Sequence, residues 1–319
     1  MVAACVLGTV AAAGTTADSV PRADPVAPTE RSARAGPPYA VGEQQLTFVD
    51  PSRTVRFPGR AAQPRTLTTI VRYPAQGPPG RVDVRGAAPD SAAGPFPLVV
   101  FGHGFAVTPA TYYRLLRAWA QAGYVVAAPV FPLENANAPG GPNESDLVNQ
   151  PRDMSVVISG MLAGAASRNA LLRGMVAPRA IAVAGQSDGG ETALAVAYDP
   201  FYIDRRVRAA VILSGAQIPG AGLSAAGPPL LAVQGTADAI NQPRYTDAFF
   251  AAAPRPKFLL RLIGASHLPP YTDEQPQLTM VERVTVGFLD RYLKGTGNGL
   301  ARMTRSGNRA GVAALVARP

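Results

Sequence analysis

From about residue 45 the chain alternates short apolar runs with longer stretches whose apolar positions recur at helical spacing. The runs "LVVFG" (98–102), "YVVAAP" (124–129), "IAVAG" (181–185), "AAVILS" (209–214), "LLAVQG" (230–235) and "FLLRLI" (258–263) have the length of strands. They lack polar alternation, which suits strands covered on both faces, as in a parallel sheet. "QLTFVD" and "TLTTIVRYP" predict two earlier strands joined by a turn bearing Pro and Gly. Helical stretches fall between the runs, at 109–121, 145–166, 188–198, 243–252 and 276–293. The order predicts an α/β fold: a mostly parallel central sheet of about eight strands with helices on both faces.

The ends of the chain read differently. "MVAACVLGTVAAAGTTADSV" is apolar and closes on small residues, so 1–17 is expected to be a signal segment for export, although it lacks a basic n-region. "VAAC" resembles a lipobox that would lipidate Cys5, but the apolar run continues past it. Residues 18–40, rich in Pro, Ala and charge, predict a disordered linker. The alternating pattern fills 41–295 as one domain, and 296–319 is a Gly-rich, basic extension expected to hold a last helix or a loose tail.

Composition removes several function classes. The net charge of +9 first suggests a nucleic-acid partner, yet Lys257 and Lys294 are the only lysines and the arginines are scattered, with no basic run interleaved with aromatics. The expectation is therefore no nucleic-acid groove, and beyond the N-terminus no segment has the apolar length of a membrane span. Cys5 is the single cysteine, and His103 and His267 are the only histidines, so neither a disulfide nor a His/Cys metal cluster is expected. No cofactor is expected either, since no G-x-G-x-x-G opens a helix after the first strand.

In an open parallel sheet, reactive residues collect beyond the carboxyl ends of the strands. After "IAVAG" comes Gln186-Ser187-Asp188-Gly189-Gly190, which completes G-x-S-x-G between an apolar strand and the apolar helix "ETALAVAY". That context predicts a nucleophile elbow, a tight turn whose neighbours must lack bulk. A serine hydroxyl needs an adjacent base, and His267, in the loop after the last apolar run, is the candidate. Asp238, after "QGTA", is the candidate acid to orient it, with Asp247 and Asp199 as rivals on or after helices. The N–H groups of Asp188 and of Phe105 in the "HGF" loop are the candidate oxyanion-hole donors. His103 reads first as a structural histidine; with Phe105 and Tyr112 it is assigned to substrate binding, and Tyr113 is a further candidate wall. Glu191, one turn after Ser187, is expected to make a structural hydrogen bond.

"FGHGF…GQSDGGETAL…QGTAD…GASHLPPY…FLDRYLKG" resembles the alpha/beta-hydrolase superfamily. Within it the segments are similar to the chlorophyllase-, dienelactone-hydrolase- and polyester-hydrolase (cutinase)-like bacterial serine esterases, over about residues 45 to 295. The resemblance implies Ser187 as nucleophile, Asp238 as acid, His267 as base, and Phe105 and Asp188 as oxyanion donors. Gln186 stands where such esterases often carry His, and it is expected to face away from the reacting carbonyl.

The connection "SGAQIPGAGLSAAGPP" is too short and Gly/Pro-rich for a helical cap, and loop 132–149 has no amphipathic face. An open cleft follows, suited to small-molecule or polymeric esters. The expected function is ester hydrolysis through an acyl-enzyme. Amide cleavage or acyl transfer by the same three residues, and a non-catalytic binding protein on this fold, remain as alternatives. Oligomeric state is not legible.

Overall fold

The computed structural model describes residues 37–167 and 170–319; the expected signal segment, Cys5 and nearly all of the expected linker lie outside them. Ten strands form one sheet: β1 (Ala40–Val55), β2 (Gln63–Ala75), β3 (Val84–Arg85), β4 (Phe96–Gly102), β5 (Val125–Pro129), β6 (Val176–Gln186), β7 (Val207–Leu213), β8 (Leu230–Gly235), β9 (Lys257–Leu262) and β10 (Ala313–Arg318). Their order across the sheet is β10-β9-β8-β7-β6-β4-β5-β2-β1-β3. The stretch from β5 through β9 is parallel, while β1, β2 and β10 join antiparallel to their neighbours. The helices are α1 (Tyr113–Gln121), α2 (Gln150–Ala166), α3 (Asp188–Tyr198), α4 (Pro243–Ala252), α5 (Gln277–Leu293) and α6 (Gly299–Gly307).

The six apolar runs are the six parallel strands, and their lack of alternation has the expected cause. In β4, Leu98 and Val100 enter one core layer with Met154, Val157 and Ile158 of α2 and Leu194 of α3. Val99 and Phe101 enter the other, with Leu116 and Trp119 of α1 and Val281 and Phe288 of α5. Strands β6 and β8 divide their side chains in the same way. Both pleat faces are buried, so polar positions are few and, like Gln234 of β8, hydrogen-bonded.

The sheet has two strands more than the eight or so expected. One is the two-residue β3. The other is β10, which pairs antiparallel with β9 in the register Leu315↔Leu260. The C-terminal extension is thus a helix, α6, followed by an edge strand, and Met303 of α6 is buried in the second layer. Between β7 and β8 the described residues form no helix, so no cap sits there. Among the described residues no helix is long and apolar enough to cross a membrane.

The chain leaves β4 toward β5 on one side and returns to β6 on the other. A crevice opens at the carboxyl ends where the winding direction reverses, and the loops after β4 and β6 border it. One further cluster positions that region from outside. Arg65 of β2, 2% exposed, bridges Asp146, in the turn before α2, and Asp153 of α2, each at 2.6 Å, and so pins the start of α2. Removing one partner of a buried ion pair leaves uncompensated charge, so Arg65→Ala should cost about 3–5 kcal/mol. Urea unfolding of wild type and variant measures it.

Candidate active site

Ser187 sits between β6 and α3 with φ 56° and ψ −127°, a backbone conformation that L-residues rarely adopt. It is held by its own N–H donating to Leu213 O at 3.0 Å and its carbonyl accepting from Glu191 N at 2.9 Å. The flanking glycines are required by contact. A Cβ on Gly185 would strike the Gly189 carbonyl, and one on Gly189 would strike the Gly102 carbonyl of β4. Helix α3 therefore begins hard against the ends of β4 and β6, and the serine side chain projects into the crevice.

Three loops meet there. His267, in the loop after β9, has Nε2 2.9 Å from Ser187 Oγ and Nδ1 2.8 Å from Asp238 Oδ2. A carboxylate only accepts, so Nδ1 carries the hydrogen and Nε2 offers its lone pair to the serine hydroxyl. Asp238, after β8, is 3% exposed. Its other oxygen accepts from the N–H groups of Ile240 (2.9 Å) and Asn241 (3.0 Å). Burial alone would raise the Asp238 carboxyl, but hydrogen bonding and attraction to His267 outweigh it, with help from Ser214 and the Ile240 N–H, and hold it below the ordinary value. The arrangement can pass the serine proton to the imidazole and stabilise the charge that results. The rival acids lie elsewhere: Asp199 caps the turn after α3 through Phe201 N at 2.8 Å, and Asp247 pairs with Arg261 at 2.6 Å.

Ser187 and His267 line a cavity of about 460 Å³ with Phe105, Val107, Tyr112, Ala239, Ile240, Leu268 and Pro269. Among the described residues no Lys, Arg, Asp or Glu lines it. Phe105 and Ile240, 41% and 67% exposed, stand at its rim, while Tyr112 is buried against its floor. Tyr113 turns outward beneath Arg114 and Arg117 and does not line it. Among the described residues neither the Phe105 nor the Asp188 N–H donates a hydrogen bond.

His103 does not reach this cavity, which corrects its assignment to substrate binding. It is wholly buried: Nδ1–H donates to Gly104 O at 2.8 Å, and Nε2 accepts from Phe131 N–H at 3.0 Å. Both nitrogens are committed to backbone, so the ring braces the loop after β4 instead of facing a ligand. The same loop is held by Gly104 N–H on the Tyr112 hydroxyl (3.2 Å), Ala106 N–H on Glu134 O (3.0 Å) and Ala136 N–H on Val107 O (3.2 Å). Ala106 has φ 55°, a second strained position.

Gln186 does not face away from the reacting centre, as was expected. Its Oε1 accepts from the Tyr112 hydroxyl at 2.7 Å, and its Nε2 donates to His267 O at 3.1 Å, ending 3.3 Å from His267 Nε2. The amide thus ties the loop after β4 to the loop after β9 across the serine. The dipeptide spacing carries no sign of this, because both partners come from distant segments.

Asp188 does not line the cavity; its Oδ1 lies 3.5 Å from Ser187 Oγ, and its carboxyl neighbours the wholly buried Glu134. Glu134 accepts from Gln150 Nε2 of α2, and Gln150 Oε1 accepts from Thr192 Oγ1 of α3 at 2.8 Å. Burial, then the neighbouring Asp188, push the Glu134 carboxyl up to about 10. Glu191 is likewise raised, to about 7, by burial and then by Asp188, and accepts weakly from Asn241 Nδ2 at 3.5 Å. Sequence reasoning passed over Glu134 and Gln150, which carry no motif and become significant only once α2 and α3 pack together.

The ten-stranded, mostly parallel sheet with helices on both faces has the alpha/beta-hydrolase fold. A family model described as chlorophyllase matches residues 69–226, the segment from β2 to the connection after β7. A solved ferulic acid esterase from Streptomyces cinnamoneus superposes with a TM-score of 0.60 at 22% identity, covering 85% of this chain and 93% of that one. No curated protein matches the chain in sequence. With 932 solved chains matching this fold, architecture alone says little of substrate.

His103 yields a prediction about acid stability. Burial lowers it from 6.5 to about 4, against the opposing hydrogen bond to Gly104, so the folded protein keeps it neutral. The unfolded chain takes up the proton first as pH falls. Its contribution is therefore present above pH 6.5 and lost between 6.5 and about 4, a total of about 3 kcal/mol. Urea midpoints taken at about pH 7 and about pH 4.5 should converge more closely for His103→Asn than for wild type.

Proposed function

We propose that the protein is a serine carboxylic-ester hydrolase working through an acyl-enzyme. The observation that carries this reading is the continuous chain from Ser187 Oγ through His267 to Asp238, at 2.9 Å and 2.8 Å, opening onto an uncharged apolar cavity. In this reading Ser187 attacks the ester carbonyl as His267 Nε2 takes its proton. Asp238 fixes the tautomer and stabilises the imidazolium. The free N–H groups of Phe105 and Asp188 stabilise the charge developing on the carbonyl oxygen. Imidazolium returns the proton to the departing alcohol, and a water molecule, deprotonated by the same nitrogen, releases the acid. The chlorophyllase match and the name of the solved neighbour lean toward esters as well.

The walls favour neutral, apolar groups of short to medium size beside the serine. Beyond Ile240 a second groove of about 710 Å³ runs between Leu147, Val148, Ile218 and Tyr245, so a bulky or polymeric ester can lie across both. None of the residues lining the cavity at Ser187 comes from loop 132–149.

Ser187→Ala should keep the fold while losing p-nitrophenyl ester turnover and labelling by a fluorophosphonate, and His267→Ala should lower kcat/KM by several decades. Labelling that persists at another serine, or faster turnover of an aminoacyl-anilide than of the ester, would overturn the reading. With no cap to open, the rate on tributyrin should saturate smoothly across its solubility limit. A sharp rise at that limit, abolished by shortening residues 136–143, would instead make that loop a lid.

A further inference from the structure

Beside Ser187, outside the lining of the cavity, two carboxyl groups neighbour one another in the interior, one of them with Oδ1 3.5 Å from Ser187 Oγ. Glu134 is wholly buried, and Asp188 is 7% exposed. Among the described residues Glu134 Oε1 and Asp188 Oδ2 are each buried without a hydrogen-bond partner. Two buried carboxylate oxygens cannot be left facing without cost, for they repel each other and have both lost water. A single proton between them removes both faults at once.

We propose that Glu134 is a neutral carboxylic acid donating its hydrogen to the Asp188 carboxylate, and that this shared proton makes Glu134 a positioning residue for both oxyanion donors. The geometry for the second half is already in place. The Glu134 side chain grips Asp188, whose own N–H is one donor. The Glu134 carbonyl accepts from Ala106 N–H at 3.0 Å, next to Phe105, whose N–H is the other. One residue therefore touches both walls of the oxyanion site, and its carbonyl bonds Ala106 at its strained φ of 55°. Gln150 Nε2 occupies the other Glu134 oxygen, which leaves Oε1 as the atom that carries the hydrogen.

The surrounding charges favour the neutral form. Asp146 and Asp188 both raise the Glu134 carboxyl, and Glu191 faces Asp188 from the next turn of α3. Arg65 is paired with Asp146 and Asp153. Tyr112, on the cavity side, also feels Glu134 and stays protonated through its burial.

The positioning role rests on the esterase reading above; the shared proton does not. Difference infrared spectra of wild type against Glu134→Gln at neutral pH test the proton directly. The wild-type-minus-variant spectrum, in which the Glu191 contribution cancels, should show one protonated-carboxyl carbonyl band lost on substitution. A difference spectrum without that band overturns the proposal. Kinetics on a soluble p-nitrophenyl ester test the role. Glu134→Met keeps the volume but cannot bridge, so kcat should fall about tenfold to a hundredfold, with KM within about twofold and boronic-acid affinity falling alongside kcat. Glu134→Gln retains a donor toward Asp188 and an acceptor for Gln150, and should recover kcat to within about threefold of wild type. A rise in KM with kcat unchanged in Glu134→Met, or a Glu134→Gln variant at least tenfold slower than wild type, overturns it. Should Glu134→Met fail to fold, the Glu134→Gln rate and the infrared band still decide. If wild type hydrolyses no ester at all, the esterase reading falls and the band alone judges the proton.

Discussion

The first turn of α3 lies in contact with the ends of β4 and β6, and most of what the site can do follows from that approach. At Gly185 and Gly189 the backbones meet with no room for a side chain. The closeness forces the chain to reverse over a single residue, and Ser187 takes the strained φ of 56° that results. Strain of this kind costs on the order of 1–3 kcal/mol and persists only where the surroundings over-determine it. Here they do, through the bonds to Leu213 and Glu191 and the dry layers on both faces of the sheet. The same approach places the Asp188 N–H at the mouth of a helix, where the backbone dipoles favour negative charge.

The two histidines show how burial separates roles that sequence alone leaves equivalent. His267 keeps one nitrogen for Asp238 and one for Ser187, at the wall of an open cavity. His103 has both nitrogens on backbone atoms in the interior, where its pKa falls to about 4. A ring that stays neutral over the working range is a constant brace for the loop bearing Phe105. The amide of Gln186 adds a second tie, from Tyr112 to the carbonyl of His267. The loops after β4, β6 and β9 are thus cross-linked by largely buried polar groups, which makes those bonds worth more than surface ones.

Much of the architecture was legible along the chain. The six apolar runs became the six parallel strands, because a strand covered on both sides is apolar at nearly every position. The helices lie within a few residues of the expected spans, the main differences being 3-10 turns at Pro109–Tyr112 and Glu144–Asn149 ahead of α1 and α2. Strand β10 was not legible. Its residues, "AALVAR", are only partly buried at the sheet edge, so their pattern is weak, and their strand character comes from pairing with β9.

By itself the sequence determined the α/β class, the glycines flanking Ser187 and the order of serine, aspartate and histidine, because these depend on local periodicity and on residues adjacent in the chain. It also limited the histidines to two, and so narrowed the choice of base before any fold was known. Tertiary structure alone decided which histidine faces the cavity and which is sealed beneath it. It likewise turned Gln186 toward His267 and set Glu134 against Asp188. Those outcomes depend on segments tens of residues apart arriving at one point, where desolvation and hydrogen-bond partners, absent from the sequence pattern, determine what each polar group becomes.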